Sequence, residues 1–375
     1  MKIMTIVGTR PELIRLSRTI DLLDRTTQHV LVHTGQNYDY ELNQVFFDEL
    51  EIRQPDYFLN ADRSSFASTI GDIFIKIEPI LLQVKPDAVL ILGDTNSSMA
   101  GYIAKRFHIP LYHMEAGNRS FDQNVPEEIN RKVIDHLADF NMVYTEHARR
   151  NLIYEGFPQR RIFLTGSPMK EVLKYFQSGI DKSRILETLQ IEPSKYFLFS
   201  FHREENVDND LKLKRILCLL EDINQTYGYP IIVSTHPRTR QRLGGVVNLE
   251  EKSGIHFLKP FGFFDYIMLQ KSAYCTLSDS GTISEEAAIL GFPAITIRES
   301  MERPEALDNG SIVMTGLDPE VVRSSIELVR SKLYTGIPAE YAIDDTSVRV
   351  VSQILSTAKL SNKWWGIEKP IMSEK

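Results

Sequence analysis

Residues 1–12 read M-K-I-M-T-I-V-G-T-R-P-E, and they give the clearest indication of the fold class. The apolar or β-branched residues at 3–7 form a run of the length of one buried strand. Gly8 then allows a tight turn, and Pro11 is favoured in the first turn of a helix. The stretch therefore predicts a strand that passes directly into a helix, which is the opening unit of a doubly wound parallel sheet.

The same alternation continues along the chain and forms two series. Runs that are nearly continuous in apolar residues, as in parallel strands covered on both faces, are separated by helical patterns. These runs lie at 3–7, 30–34, 88–92, 111–114, 142–145 and 162–165, and then at 196–201, 231–235, 256–259, 273–277, 294–297 and 312–315. The clearest helical pattern spaces apolar residues by three and four between positions 66 and 81. We therefore predict an α/β protein with two Rossmann-like doubly wound domains.

The predicted domains have distinct roles. We place an N-terminal domain at 1–170 and a C-terminal domain at 171–345, followed by a helix at 346–361 that crosses back to the first domain and a tail at 362–375. Ligands of such sheets bind at the carboxyl ends of strands, beside helix N-termini. The polar motifs of this sequence fall at those points.

Composition narrows the classes of function. The 375 residues, 42% of them hydrophobic, are enough for two cores, and a net charge of −7 argues against non-specific nucleic-acid binding. Cys218 and Cys275 lie in apolar stretches without metal-ligand or disulfide spacing. The first apolar run is too short for a signal peptide, and no run reaches the roughly 18 residues of a membrane span. We expect a cytoplasmic protein without a membrane or nucleic-acid partner.

The first two motifs follow strands of the first series. G-T-R-P-E at 8–12 offers Arg10 to an anion at a helix N-terminus, or is an ordinary strand-to-helix turn. G-D-T-N-S at 93–97 puts Asp94 at a strand end, where its alternative role is to cap the next helix.

Two further carboxylates follow. In H-M-E-A-G-N-R at 113–119, Glu115 ends a strand, and a buried ion pair with Arg119 is its alternative. Glu127 lies four residues before Arg131 on one helix face, where a surface salt bridge is the alternative. Neighbouring carboxylates in a cleft perturb each other's ionisation, so that one acts as base and another as acid. Metal binding is the rival interpretation, which we disfavour because no histidine-rich or closely spaced aspartate cluster accompanies them.

The second series carries groups suited to a nucleotide. The motifs are H-R-E-E-N at 202–206, T-H-P-R-T at 235–239, L-S-D-S-G-T-I-S-E-E at 277–286 and R-E-S-M-E-R-P-E at 298–305. The third opens a helix whose Ser280 hydroxyl and free N–H groups suit a diphosphate. Either Glu285 or Glu286 suits two ribose hydroxyls, whereas His202, Arg238 and Arg303 suit phosphates. His202 as a core histidine and Arg238 as a solvated charge are the alternatives. No G-x-G-x-x-G occurs, so nothing points to NAD, and we expect no cofactor.

Together these motifs resemble the non-hydrolysing UDP-N-acetylglucosamine 2-epimerases, from residue 1 to about residue 355. The resemblance implies two domains facing a cleft in the GT-B arrangement, a UDP-sugar substrate and a homodimer. It implies acid–base roles for Asp94, Glu115 and Glu127, with Arg131 and His202 supporting them. The UDP or substrate contacts that it implies are Arg10, Arg15, His202, Phe261, Tyr266, Ser280, Gly281, Thr282, Glu286 and Arg303. The implied reaction eliminates UDP to a bound 2-acetamidoglycal, and UDP then re-adds while a proton returns to the other face.

The sequence also departs from the family's usual pattern. Arg15 stands where a lysine is usual, Asn37 follows Gln36 in place of a histidine, and Phe261 and Tyr266 replace a glutamine and a phenylalanine. The stretches 32–43, 115–122 and 234–239 resemble the branch that makes UDP-N-acetyl-L-fucosamine from UDP-2-acetamido-2,6-dideoxy-L-talose. The alternatives are a UDP-N-acetylglucosamine/UDP-N-acetylmannosamine 2-epimerase and, on the same fold, a retaining glycosyltransferase.

Overall fold

The computed structural model of this chain describes residues 1–35, 40–207, 209–235, 237–244, 254–331 and 336–367. The chain divides into two compact units. Unit 1 comprises Met1–Tyr175 and Glu340–Lys375, and unit 2 comprises Phe176–Ala339. The sequence had suggested divisions after residues 170 and 345. No helix in these described ranges is long and apolar enough to cross a membrane.

Unit 1 contains one parallel sheet. Its strands are β1 (Lys2–Val7), β2 (Gln28–His33), β3 (Tyr57–Phe58), β4 (Ala88–Leu92), β5 (Leu111–Met114), β6 (Phe140–Val143) and β7 (Ile162–Leu164). The order across the sheet is β3-β2-β1-β4-β5-β6-β7. The strand order changes direction between β1 and β4, and this switch point is where doubly wound sheets bind their ligands.

Unit 2 repeats the pattern. Its strands are β8 (Phe197–Ser200), β9 (Ile231–Ser234), β10 (Ile255–Leu258), β11 (Cys275–Ser278), β12 (Ala294–Thr296) and β13 (Val313–Met314). The order is β10-β9-β8-β11-β12-β13, and the pairs are parallel. The switch point of this second sheet lies between β8 and β11. Two Rossmann-like doubly wound units are thus confirmed.

Helices connect the strands. In chain order they are α1 (Arg10–Thr26), α2 (Tyr40–Glu49), α3 (Phe66–Val84), α4 (Ala100–Arg106), α5 (Pro126–Leu137), α6 (Glu146–Tyr154), α7 (Met169–Tyr175), α8 (Gln177–Asp181), α9 (Ile185–Thr188), α10 (Glu204–Val207), α11 (Asp210–Tyr227), α12 (Pro237–Gly244), α13 (Phe263–Ser272), α14 (Ile283–Leu290), α15 (Pro304–Asp308), α16 (Pro319–Arg330) and α17 (Thr346–Trp364). The helix predicted at 346–361 is α17, which extends to Trp364 and packs against α1 within unit 1.

Helix α3 illustrates how the pattern produces the packing. Ile73, Ile77 and Leu81 form a buried stripe at a spacing of four residues, as the apolar periodicity predicted. This stripe packs on a core that includes Met4 and Val89 from the central strands. The sheet is consequently covered on that face, and its carboxyl edge is left for polar side chains.

Candidate active site

Asp94 lies directly beyond β4, at the switch point of the first sheet. Its carboxylate is partly buried and forms an ion pair with Arg131. The Nε and Nη2 atoms of Arg131 each lie 2.7 Å from Asp94 Oδ2. Asn130 donates to the Asp94 carbonyl oxygen at 2.9 Å, so α5 fixes both the backbone and the side chain of this residue. Thr95, rather than Asp94, caps the turn that follows.

Glu115 lies beyond β5 in a strained conformation. Its φ of +66° is in the left-handed region, which side chains other than glycine rarely adopt and which clusters at functional sites. The carboxylate forms an ion pair with Arg15 of α1. A Cβ placed on Gly93 would lie 3.6 Å from Glu115 Oε2, so the Glu115 carboxylate lies beside the residue that precedes Asp94.

The alternative pair of Glu115 with Arg119 is wrong. Arg119 is fully buried and donates to Asp135 and to Glu155, each at 2.7 Å. Spacing along the chain allowed the pair, but the turn at Gly117 (φ +78°) directs Arg119 away from Glu115. Glu115 therefore has a cation from a different part of the chain.

Glu127 lies in the first turn of α5 and is half-buried. The salt bridge predicted between Glu127 and Arg131 as the alternative is not formed between these two described residues. Arg131 instead binds Asp94 and, at 2.9 Å, the buried Glu128. Helix α5 thus supplies the cation that holds Asp94, and the acid–base role of Glu127 stays a prediction.

Glu12 is a buried carboxylate whose role the sequence did not reveal. It accepts hydrogen bonds from the N–H groups of Gly8 and Thr9 at 2.6 and 2.7 Å and from the Thr95 hydroxyl at 2.7 Å. Those two N–H groups at the start of α1 are therefore occupied by Glu12. Burial raises the pKa of Glu12 to about 7 despite these hydrogen bonds. The carboxylate joins the loop after β1 to the loop that carries Asp94.

Arg10 and Arg15 both belong to the helix that follows. Arg10 lies at the first position of α1, with its guanidinium carbon 5.5 Å from the centre of the Phe46 ring. Arg15 lies one turn further and is almost completely buried by Glu115 and Tyr144. Gly8 is required here, because a Cβ at this position would lie 1.9 Å from the Ser97 Oγ.

The switch point of the second sheet is organised by Asp279, which the sequence placed in a motif without assigning it a role. Its fully buried carboxylate accepts from the N–H groups of His202 and Arg203 at 3.1 Å and from Asn206 at 2.9 Å. The loops after β8 and β11 are therefore held together. His202 remains half-exposed, so the core-histidine alternative is wrong. The side chain of Arg238 and all of His236 lie outside the described residues.

Ser280, Gly281 and Thr282 lead into α14. The Ser280 and Thr282 hydroxyl oxygens are 3.0 Å apart, and both residues are partly exposed. The N–H group of Ser280 donates to Ser278, and that of Thr282 donates to the Ser280 hydroxyl. A Cβ on Gly281 would lie 2.7 Å from Glu302 Oε1, so a larger residue would disturb this turn.

The two glutamates at the start of α14 have different surroundings. Glu285 is fully buried and forms an ion pair with the buried Arg303, and its alternative role with ribose stays a prediction. Glu286 accepts a hydrogen bond from Gln270 at 2.6 Å. Burial and the charge of Glu286 raise the pKa of Tyr266, whose hydroxyl is 2.9 Å from the Ser200 Oγ. Phe261 and Tyr266 are partly buried against one apolar cluster.

Comparison with known proteins identifies the family. The sequence profile of the UDP-N-acetylglucosamine 2-epimerase family matches residues 22–355. The UDP-N-acetylglucosamine 2-epimerase of Methanocaldococcus jannaschii is 38% identical, over 88% of this chain and 93% of that protein. The solved structure of a UDP-N-acetylglucosamine 2-epimerase from Rickettsia bellii has a TM-score of 0.91 at 47% identity, covering 97% of this chain and 99% of that one. The M. jannaschii enzyme in complex with UDP-GlcNAc and UDP has a TM-score of 0.90 at 34% identity, covering 95% and 100%.

The fold and the site define an α/β enzyme with ion-paired carboxylates at the switch point of a parallel sheet. The chain belongs to the UDP-N-acetylglucosamine 2-epimerase family, whose members are isomerases. The resemblance carried by the sequence motifs is thereby confirmed at the level of the family.

Proposed function

We propose that this chain inverts the C2 stereocentre of a UDP-linked N-acetylhexosamine without net hydrolysis. The observation that carries the proposal is the juxtaposition of two arginine-paired carboxylates, Asp94 and Glu115, beyond the neighbouring parallel strands β4 and β5. Proton transfer at a ring carbon needs carboxylates held within reach of that carbon. Membership of the family supports the same reaction.

The proposed reaction is an elimination followed by a re-addition. A carboxylate removes the proton from C2, and the electron pair of that C–H bond becomes the C1=C2 double bond. The C1–O bond breaks, and its electron pair leaves with UDP, so that a 2-acetamidoglycal remains bound. UDP then adds back to C1 while a proton reaches the opposite face of C2. Atoms and charge balance without a further reactant.

Charge pairing suggests how the carboxylates divide this work. An arginine partner favours the ionised form of a carboxylate, and both Asp94 and Glu115 have one. We therefore assign proton removal to this pair. Glu127 has no ion pair with Arg131 and is assigned to proton exchange at the other face.

We place the proposed binding site of the nucleotide in unit 2. Ser280, Gly281 and Thr282 are assigned to the diphosphate, because they lie at the switch point of the second sheet and at the start of α14. The Glu286 carboxylate is assigned to the ribose hydroxyls. The remaining proposed contacts are Arg10, Arg15, His202, Phe261, Tyr266 and Arg303. Cationic and hydrogen-bond-donating groups at this site would stabilise the charge that develops on the leaving diphosphate.

The proposed substrate is UDP-2-acetamido-2,6-dideoxy-L-talose, which gives UDP-N-acetyl-L-fucosamine. The stretches 32–43, 115–122 and 234–239 support this branch, although residues 36–39 and 236 lie outside the described residues. Within the second stretch, Phe121 is 72% exposed and has a φ of +56°. Glu128 accepts from the N–H groups of Ser120 and Phe121, which fixes the loop. An exposed aromatic ring on a fixed loop suits contact with a methyl group at C6.

The alternative substrate is UDP-N-acetylglucosamine, and the names of the relatives favour it. Steady-state assays with both compounds decide between them. The proposal expects a higher kcat/KM for the 6-deoxy-L-talose compound and about a 10-fold loss of that preference in Phe121→Ala, with the highly exposed Tyr154→Ala as the control. Faster turnover of UDP-N-acetylglucosamine would overturn the substrate assignment and leave C2 epimerisation intact.

A homodimer is the proposed assembly. Apolar side chains are exposed on α3 (Ile75 and Leu82) and on α5 (Ile129 and Val133), and α4 contacts both helices. A second copy would remove this surface from water. Light scattering is expected to give twice the chain mass of 43.0 kDa, and Ile75→Glu is expected to lower it. A monomer at micromolar concentration would contradict the proposal.

A further inference from the structure

His113 on β5 lies between two hydrogen-bond acceptors. The ring is buried, with Nδ1 at 2.9 Å from Asp135 Oδ1 and Nε2 at 2.9 Å from the Gly93 carbonyl oxygen. A carbonyl oxygen has no proton to give. A neutral imidazole has one N–H, so it can satisfy both contacts only if Asp135 supplies a proton.

Asp135 is held as a carboxylate. The buried Arg119 donates to its Oδ2 at 2.7 Å, and a cation in direct contact favours the ionised form of a carboxyl group. Its oxygens also accept from the N–H group of Gly117 at 3.1 and 3.3 Å. Every contact of this carboxylate that we describe is with a donor, so the proton between the two side chains belongs on His113.

The surrounding charges balance a cationic ring. Arg119 donates to Asp135 at 2.7 Å and also binds Glu155, which follows α6. His113 and Arg119 carry two positive charges, and Asp135 and Glu155 carry two negative charges. Buried charges are tolerated when they are paired and hydrogen-bonded in this way.

Three segments that carry the proposed acid–base groups meet at this cluster. Gly93 immediately precedes Asp94, and Gly117 lies two residues beyond Glu115. Asp135 belongs to α5, the helix that also carries Glu127. We infer that His113 is held as an imidazolium by its two acceptors and is a positioning residue that fixes these three carboxylates relative to one another. The positioning role rests on the function proposed above, whereas the charge state stands on the hydrogen-bond geometry.

Nitrogen-15 NMR of the full chain with labelled histidine tests the charge state. The chain has nine histidines, and the signal that is lost in His113→Gln belongs to His113. The inference expects two ring N–H groups and imidazolium nitrogen shifts at His113. A single ring N–H group at His113 would overturn it. This measurement uses the wild-type fold and does not depend on activity.

Exchange kinetics test the positioning role. His113→Gln removes the charge and one of the two hydrogen-bond donors. It is expected to lower the rate of C2 deuterium exchange about 100-fold, because a misplacement of the catalytic carboxylates by about 1 Å costs about that much. UDP affinity, assigned to unit 2, is expected to stay within about twofold. His136→Gln, an exposed histidine on the same α5, is the matched control.

Three outcomes separate the inference from the proposed function. A folded His113→Gln variant with exchange near the wild-type rate would overturn the positioning role. Equal losses of UDP affinity and exchange would also overturn it, because they would indicate general unfolding. A wild-type protein without any C2 exchange would instead contradict the proposed function, and NMR would still decide the charge of His113.

Discussion

Arg131 binds the Asp94 carboxylate through two nitrogens, Nε and Nη2, each of which lies 2.7 Å from Oδ2. The guanidinium is almost completely buried, and its third nitrogen binds Glu128 at 2.9 Å. Glu128 in turn holds the loop at Ser120 and Phe121. The position of Asp94 is therefore set by α5 and by the loop before it.

A lysine at position 131 cannot bind Asp94 through two nitrogens. Arg131→Lys keeps the positive charge but replaces the planar fork with a single point of contact. We expect at least a 10-fold lower rate of C2 exchange, because Asp94 loses its orientation, with little change in UDP affinity. Arg150→Lys, at an exposed position on α6, is the control. Wild-type exchange in Arg131→Lys would mean that charge alone is enough.

The three candidate acid–base residues can be tested one at a time. Asp94→Asn, Glu115→Gln and Glu127→Gln preserve shape and remove the carboxylate. Each is expected to lower turnover by about 100-fold or more, because general acid–base catalysis contributes at least that much. UDP binding should be largely retained, and the exposed Glu78→Gln is the matched control. Near-normal C2 exchange in all three variants would remove the assignment.

Glu12 predicts a specific dependence of stability on pH. Because the pKa is raised from 4.5 to about 7, the folded protein binds the proton more tightly than the unfolded chain. This contribution to stability is complete below about pH 4.5 and is lost as the pH rises through about 7. Its full size is about 3 kcal/mol.

Glu12→Gln removes this titration and keeps the hydrogen bonds, because an amide can accept from Gly8 and Thr9 and donate to Thr95. Urea unfolding from pH 5 to pH 8 measures the stability of wild type relative to the variant. The difference is expected to fall with rising pH. A constant difference would show that Glu12 titrates normally in the folded protein, and a rising difference would show that folding lowers its pKa; either result would contradict the prediction.

The ribose assignment predicts a loss of affinity. Glu286→Ala removes a carboxylate, and hydrogen bonds to a charged group contribute about 1.5–3 kcal/mol, which corresponds to a loss of UDP affinity of about 10-fold to 100-fold. Calorimetric titration with UDP measures it, and Glu299→Ala, at an exposed position of unit 2, is the control. An unchanged dissociation constant would show that Glu286 does not contribute to UDP binding.

Much of the architecture followed from local pattern. Runs such as those of β4 and β5 are buried on both faces, so their composition marks them clearly. The strand β3 was missed because it is an edge strand of two residues, Tyr57 and Phe58, with no run to detect. The motifs also led to the strand ends at which Asp94, Glu115, His202 and Asp279 lie.

The partners of the charged residues could not be predicted in the same way. Spacing of four residues allowed a bridge from Glu127 to Arg131, but the fold brings Asp94 and Glu128 to the same guanidinium. Arg15 and Glu115 are 100 positions apart in the chain, and only tertiary structure makes them a pair. His113 carried no local signal, because its charge follows from what faces each ring nitrogen.

Proton NMR of the wild-type protein in D₂O with UDP-N-acetylhexosamines tests whether the enzyme exchanges the proton at C2. The proposed mechanism predicts loss of the C2 proton signal, deuterium at C2 and a mixture of two C2 epimers that both retain UDP. The 6-deoxy-L-talose compound should react fastest. Full retention of hydrogen at C2 in every compound, or conversion only to free sugar and UDP, would contradict it.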